Sequence, residues 1–91
     1  MQDYSEVVEL LKLDIGISST ARDYYFLTLV KSATQELNSR GACLDFGKTE
    51  DVMLAADYAA WKYRHRETGE GMPENIRQRL INRRTEKRGN G

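Results

Sequence analysis

The sequence predicts a small all-α protein, a bundle of about four helices in which the third helix is central. Three observations support this fold class. Apolar residues recur every three or four positions, residues typical of helix starts and stops separate the periodic segments, and the predicted loops are short. A chain of 91 residues fits one domain, and a chain of this size buries only a thin core. Association with other subunits would therefore add useful buried area.

The first helix is predicted to begin at a capping box formed by Asp3 and Glu6, which are three residues apart. Gly16 is a suitable C-terminal stop, after which Ile17 can fold back onto the helix. The apolar face of this helix comprises Val7, Val8, Leu11 and Ile15.

The second helix is predicted to start at residues 18–20, with Ser19 or Thr20 as its N-cap, and to end at Gly41. Tyr24 and Tyr25 lie off its apolar face. Exposed tyrosines are common in protein interfaces, and they also occur as ordinary surface residues, so both interpretations stand. The apolar face itself comprises Phe26, Leu27, Val30, Ala33 and Leu37.

The third helix is expected to follow a loop at 42–48, which has room for a short extended piece, and to run from a Thr49 cap to about Arg66. It carries two apolar stripes on opposite sides, which predicts burial from two directions. The stripe expected to face helices one and two is Val52, Ala56, Ala59 and Tyr63; the opposite stripe is Leu54, Tyr58 and Trp61.

The fourth helix is predicted to begin near Pro73, after a flexible turn at 67–71. Its large apolar residues are only Ile76, Leu80 and Ile81, among many arginines, so it is marginal as an isolated helix. We therefore expect a single helical domain over residues 1–84 and a flexible basic tail over residues 85–91.

The charges are unevenly distributed along a chain of zero formal net charge. Residues 1–60 contain five basic and ten acidic residues, a net charge of −5, whereas residues 61–91 contain nine basic and four acidic residues, a net charge of +5. These halves could pair between copies or within one subunit.

The basic fourth helix could be a solvated face, bind nucleic-acid phosphates or contact an acidic protein surface. The absence of aromatic residues in this helix weakens a role in stacking on single-stranded nucleic acid. Arg64 and Arg66 either suit the helix dipole or contact an acidic partner.

Residues that carry catalytic or metal chemistry are scarce. Cys43 and His65 are the only cysteine and histidine, so neither an intramolecular disulfide nor a common structural zinc site is expected. No acid–base couple or nucleotide-binding loop stands out, and no apolar run is long enough for a membrane span. We expect no enzymatic activity, cofactor, metal, small-molecule substrate or membrane association. Without a recognisable signal peptide, synthesis in the cytoplasm is expected.

Two segments resemble the head–tail connector, or adaptor, family of long-tailed phages and prophages. They are residues 54–66, an alanine-rich and aromatic helix, and residues 71–82, where Met72-Pro73 is followed by Ile76-Arg77. Residues 8–23 are also similar to this family. The resemblance covers nearly the whole chain, with the 42–48 loop least covered, and its most specific part is the Met-Pro element after the aromatic helix.

The resemblance implies a structural subunit of a homo-oligomeric ring in the virion. Such a ring lies beneath the portal protein, extends the DNA channel without sequence-specific binding, and offers a docking surface to a tail-side connector or stopper protein. The residue pattern supplies these candidates for protein interaction: Tyr24, Tyr25, Trp61, Arg64, Arg66, Arg77, Arg83 and Arg84. The alternative is a small helical DNA-binding or regulatory module that uses the basic C-terminal segment.

Overall fold

Four helices account for most of the chain. The computed structural model describes residues 3–89, with side chains described through residue 84. The helices are α1 (Ser5–Ile15), α2 (Asp23–Ser39), α3 (Thr49–Arg64) and α4 (Glu74–Gly89). Within the described range no strand is present, so the predicted all-α class is confirmed and the 42–48 segment is a loop.

The starts of the helices differ from the sequence predictions. Asp3 accepts the Ser5 backbone N–H at 2.9 Å and the Ser5 hydroxyl, so it does not form the predicted capping box with Glu6. Tyr4 instead occupies the N-cap position of α1, and no side chain caps it. Asp3 lies one residue before that position, and its carboxylate bonds to Ser5 and not to Glu6.

The predicted cap of α2 is also wrong. Ser19 Oγ accepts the Ala21 N–H at 3.1 Å, and the Asp23 N–H donates to the Thr20 carbonyl at 3.2 Å, which makes residues 20–23 a turn before the helix. A serine hydroxyl serves such local turns as readily as a helix start. Thr49, predicted as a cap, is instead the first residue of α3, after Lys48 at the N-cap position.

The ends of α1 and α2 depend on glycines with positive φ. Gly16 has a φ of 79°, and the Ile17 N–H then donates to the Lys12 carbonyl at 2.9 Å, as predicted for a fold-back after a left-handed residue. Gly41 has a φ of 100°, and its N–H donates to the Asn38 carbonyl at 2.9 Å. The third helix ends at Arg64, two residues before the predicted end.

Helix α3 is the centre of the bundle and packs against α1, α2 and α4. The first predicted stripe is confirmed, because Val52, Ala56 and Ala59 are buried and Tyr63 packs partly buried against the core. The opposite stripe is also largely internal, since Leu54 and Tyr58 are buried. The core residues that α1 and α2 contribute are Val7, Leu11, Phe26, Val30, Ala33 and Leu37.

Helix α4 packs against α3 through Ile76 and Leu80, which are both buried. Ile81, the third apolar residue, is 39% exposed. The helix extends to Gly89, so its backbone enters the segment predicted as a flexible tail; the side chains of 85–91 and residues 90–91 lie outside the described part of the chain. None of the described helices is long and apolar enough to cross a bilayer.

Candidate protein interface

The two charged halves of the chain pair with each other inside one subunit. Among the side chains that the structure describes, four ion pairs join an acidic residue from the first 60 positions to a basic residue further along, at N–O distances of 2.8–2.9 Å: Asp14–Arg64, Glu36–Lys62, Asp51–Arg83 and Asp57–Arg79. Much of the charge of the −5 and +5 halves is therefore paired within the subunit. The charges available to a partner are those of residues outside these ion pairs.

The Asp51–Arg83 pair is the most buried of the four. The Asp51 carboxylate is 1% exposed, and it accepts the Arg83 Nε–H at 2.8 Å and the Asp45 backbone N–H at 2.8 Å. Asp51 also lies in the first turn of α3, where the helix dipole favours a negative charge. This carboxylate therefore ties the 42–48 loop, α3 and α4 together, and Arg83, expected to meet a partner's carboxylate, is already paired within its own chain.

The outer face of α4 presents arginines of a different kind. Arg77 and Arg84 are exposed, and neither makes an ion pair with any side chain that the structure describes. With Arg40 and Ile81 they line a shallow cavity of about 400 Å³. Arg40 is only weakly engaged, at 3.7 Å from Glu36. We call Arg40, Arg77, Ile81 and Arg84 the arginine patch.

Trp61 takes part in an aromatic stack at the C-terminal end of α3. Its ring stacks on Tyr58 at 6.2 Å and on His65 at 4.5 Å between centroids. His65 Nδ1 lies 2.9 Å from the Trp61 carbonyl, so the ring is held by its own helix. Trp61 is half-buried in this arrangement, which leaves only part of it accessible to a partner.

Glu36 is the polar centre beside that stack. It accepts the Tyr58 hydroxyl and the Lys62 ammonium, the latter at 2.9 Å. Burial raises the pKa of Glu36, but the bonds from Tyr58 and Lys62 outweigh it and hold the pKa below its ordinary value. Burial and the bond to Glu36 raise the pKa of Tyr58 well above its ordinary value. The hydrogen bonds from Tyr58 and Lys62 to Glu36 link α3 to α2.

The two tyrosines of α2 have different environments. Tyr24 is 83% exposed, the most exposed large apolar side chain among the described residues. Tyr25 is 37% exposed and makes edge contacts with Phe26 and Tyr63, and the Arg22 guanidinium lies 5.2 Å from its ring centre. Tyr24 is thus available to a partner, whereas Tyr25 also supports the fold.

The remaining two candidates from α3 and its end are engaged within the subunit. Arg64 donates to the Asp14 carboxylate and to the Asp14 carbonyl, both at 2.9 Å. The Arg66 guanidinium lies 4.2 Å from the centre of the Tyr63 ring and donates to the Tyr63 carbonyl. Both arginines remain exposed, so their contribution to a partner contact stays a prediction.

A second surface, which the sequence did not indicate, is a groove of about 1200 Å³ between α1 and α2. Tyr4, Val8, Leu27 and Tyr24 provide its apolar lining; its charged residues include Glu9, Asp23, Lys12 and Lys31. The volume is larger than the roughly 300–1,000 Å³ of small-molecule pockets. We call it the α1–α2 groove. In the helical repeat, the apolar residues of the groove lie next to the residues of the core face. That position was the sequence feature from which the groove could have been predicted.

The described residues do not assemble a catalytic or metal-binding cluster of histidine, cysteine and carboxylates. Cys43 precedes α3 and is exposed, while His65 follows α3. No hydrogen bond that the structure describes joins the Cys43 thiol to the His65 ring, whose nitrogens lie near the Trp61 carbonyl and the Glu70 carboxylate.

The fold and these surfaces together define a small four-helix protein with two separate candidate contact surfaces. Comparison with known proteins adds no relative, since no family model, curated protein or solved structure matches the chain.

Proposed function

We propose that this chain is a structural subunit of a phage or prophage head–tail connector, which assembles into a ring and joins the portal to the tail-side proteins. One observation carries the proposal: the arginine patch and the α1–α2 groove share no residue and differ in chemistry. A ring grows through a heterologous interface, in which one surface of each copy meets a different surface of the next.

The resemblance of residues 54–66 and 71–82 to the connector family supports the same role. In this role the protein is located at the head–tail interface of the virion, and DNA passes through the ring without sequence-specific contacts. It has no enzymatic activity and requires no cofactor, because its work is mechanical. Partners are other copies, the portal and a tail-side stopper protein.

Electron microscopy of the protein mixed with the portal protein of the same phage or prophage tests this function. We expect rings of the chain seated coaxially on the portal. A matched sample in which the arginine patch carries Arg77→Ala and Arg84→Ala should show fewer complete rings. A chain that neither forms rings nor binds the portal would contradict the proposal.

Nucleic-acid binding is the second candidate, because Arg77 and Arg84 have no carboxylate partner among the described side chains. Binding of duplex DNA by the isolated chain, measured across salt concentrations, separates the two. A DNA-binding module that uses the three arginines of the arginine patch, Arg40, Arg77 and Arg84, should lose affinity with a log–log slope of about −2.7, at −0.9 per phosphate contact. A connector subunit should show no measurable binding at physiological salt.

A further inference from the structure

We infer that the outer face of α4 in one copy docks into the α1–α2 groove of the next copy. This inference rests on the proposed ring function and names the two surfaces that meet. The occupant of the groove is therefore a second copy of this chain, and the contacting element is a helix that lies lengthwise in a groove.

The docking face of α4 is a stripe at helical spacing. Arg77, Ile81 and Arg84 are four and three positions apart, so they share one side of the helix. Ile81 is 39% exposed and stands between two arginines without ion pairs among the described side chains. An apolar anchor between two cations is suited to an apolar surface with acidic residues at its edge.

The α1–α2 groove has that character. Val8, Leu27 and Tyr24 supply apolar surface, and Tyr24 in particular is largely exposed in the single subunit. Glu9 is exposed and forms no ion pair within the described part of the chain. Asp23, in contrast, is already paired with Lys12 at 2.5 Å. Asp3 also lacks an ion pair, but it accepts two hydrogen bonds from Ser5, so Glu9 is the carboxylate of the groove that makes no described bond and is left for a cation from outside.

Other charges at the groove limit how a helix could be oriented in it. Asp3 is bound by Ser5, and the Lys31 ammonium lies 5.9 Å from the centre of the Tyr4 ring. An incoming arginine is repelled by Lys31 and attracted by Glu9, which selects one register of the incoming helix. Ile81 and the groove supply the apolar contact, while the charges supply specificity.

The docking contact is heterologous, because the donor stripe and the acceptor groove have no residue in common. Each subunit then uses its stripe for one neighbour and its groove for the other, and a series of such contacts closes into a ring when the rotation permits. No residue of the buried Asp51–Arg83 pair takes part, so assembly does not require the subunit to rearrange.

Charge reversal in the full chain tests the contact. Sedimentation velocity across protein concentrations should show self-association of the unmodified chain, and Arg84→Glu or Glu9→Arg alone should raise the dissociation constant at least about tenfold, which is about 1.4 kcal/mol. The double variant should restore association to within about threefold. Glu67→Arg, an exposed acid outside both surfaces, is the matched control and should change nothing.

Circular dichroism checks that each variant stays folded, and Tyr24→Ala offers a second, uncharged perturbation that should weaken association without loss of helix. A chain that stays monomeric at the highest attainable concentration overturns the docking mode, as do single reversals without effect or a double variant that does not recover. If rings still form on the portal in those cases, the connector function stands and only the docking mode falls.

Discussion

The two faces of α4 carry the same kinds of residue and have opposite environments. On the inner face Leu80 is 2% exposed and the Arg83 side chain is 10% exposed against Asp51. On the outer face, one position further along in each case, Ile81 is 39% exposed and Arg84 has no described carboxylate partner. Adjacent arginines thus divide into one that holds the fold and one that is available to a partner.

This difference explains how a basic helix with few apolar residues is held in place. Burial of Ile76 and Leu80 is supplemented by Arg83 with Asp51 and by Arg79 with Asp57, so the inner face attaches α4 to α3. The outer face forms no ion pair among the described side chains, although the Arg84 side chain lies beside Gly41 at the end of α2. Arg77 and Arg84 are therefore basic residues whose charges the described fold does not neutralise.

The largest effect is expected where the inner face loses its buried cation. Arg83→Ala leaves the Asp51 carboxylate buried without its cation, and breaking such a pair costs about 3–5 kcal/mol. Arg84→Ala on the outer face should stay within about 0.5 kcal/mol. Urea unfolding followed by circular dichroism measures both, and equal losses for the two variants would remove the distinction between the faces.

The apolar residues of α4 should show the same contrast with a smaller effect. Leu80→Ala removes a buried side chain, and a helix at the edge of the bundle can shift to fill the space, so we expect about 2–3 kcal/mol, the lower part of the usual range. Ile81→Ala should cost less than about 1 kcal/mol, because the side chain is already partly hydrated. Thermal or urea unfolding of the two single variants is the measurement, and a larger loss for Ile81→Ala would contradict the assigned faces.

Glu36 provides a reference ion pair that does not involve α4. Because its pKa is lowered in the folded chain, its stabilisation is present above its ordinary pKa of 4.5 and is lost as pH falls through the lower folded pKa. Acidification from neutral pH to about pH 3 should therefore lower the free energy of unfolding by less in Glu36→Gln than in the unmodified chain. Urea midpoints at the two pH values test this, with exposed Glu67→Gln as the control. An unchanged acid loss in Glu36→Gln would show that other carboxylates dominate.

The smallest effect is expected for the exposed pair of Asp57 and Arg79, whose side chains are 47% and 36% exposed. Asp57→Asn should cost about 0–1 kcal/mol, and the loss should shrink as salt is added. A double-mutant cycle with Arg79→Gln isolates the pair. A coupling free energy as large as that of the buried Asp51–Arg83 pair would contradict the view that burial makes that pair the stronger of the two.

The sequence by itself determined the helices and most of the core. Apolar spacing on α2 predicted the burial of Phe26, Val30, Ala33 and Leu37, and Gly16 predicted the end of α1, because helical periodicity and a left-handed stop are local properties. Leu27, on the same predicted face, is only partly buried and lines the α1–α2 groove. The starts of the helices were harder, since residues such as Ser19 and Asp3 bond equally well to a turn or to a helix.

Only the tertiary structure decided which charged residues face a carboxylate and where the open surfaces lie. Arg83 and Arg84 are neighbours in the same basic run, and nothing local distinguishes them; the difference comes from Asp51, 32 positions away. The α1–α2 groove likewise exists only because two helices meet at one distance and angle. Periodicity acts within a few residues, whereas ion pairs and grooves depend on how distant segments pack. For that reason the fold class and some candidate residues, such as Tyr24 and Arg84, were predictable, whereas the pairing of Arg83 and the position of the groove were not.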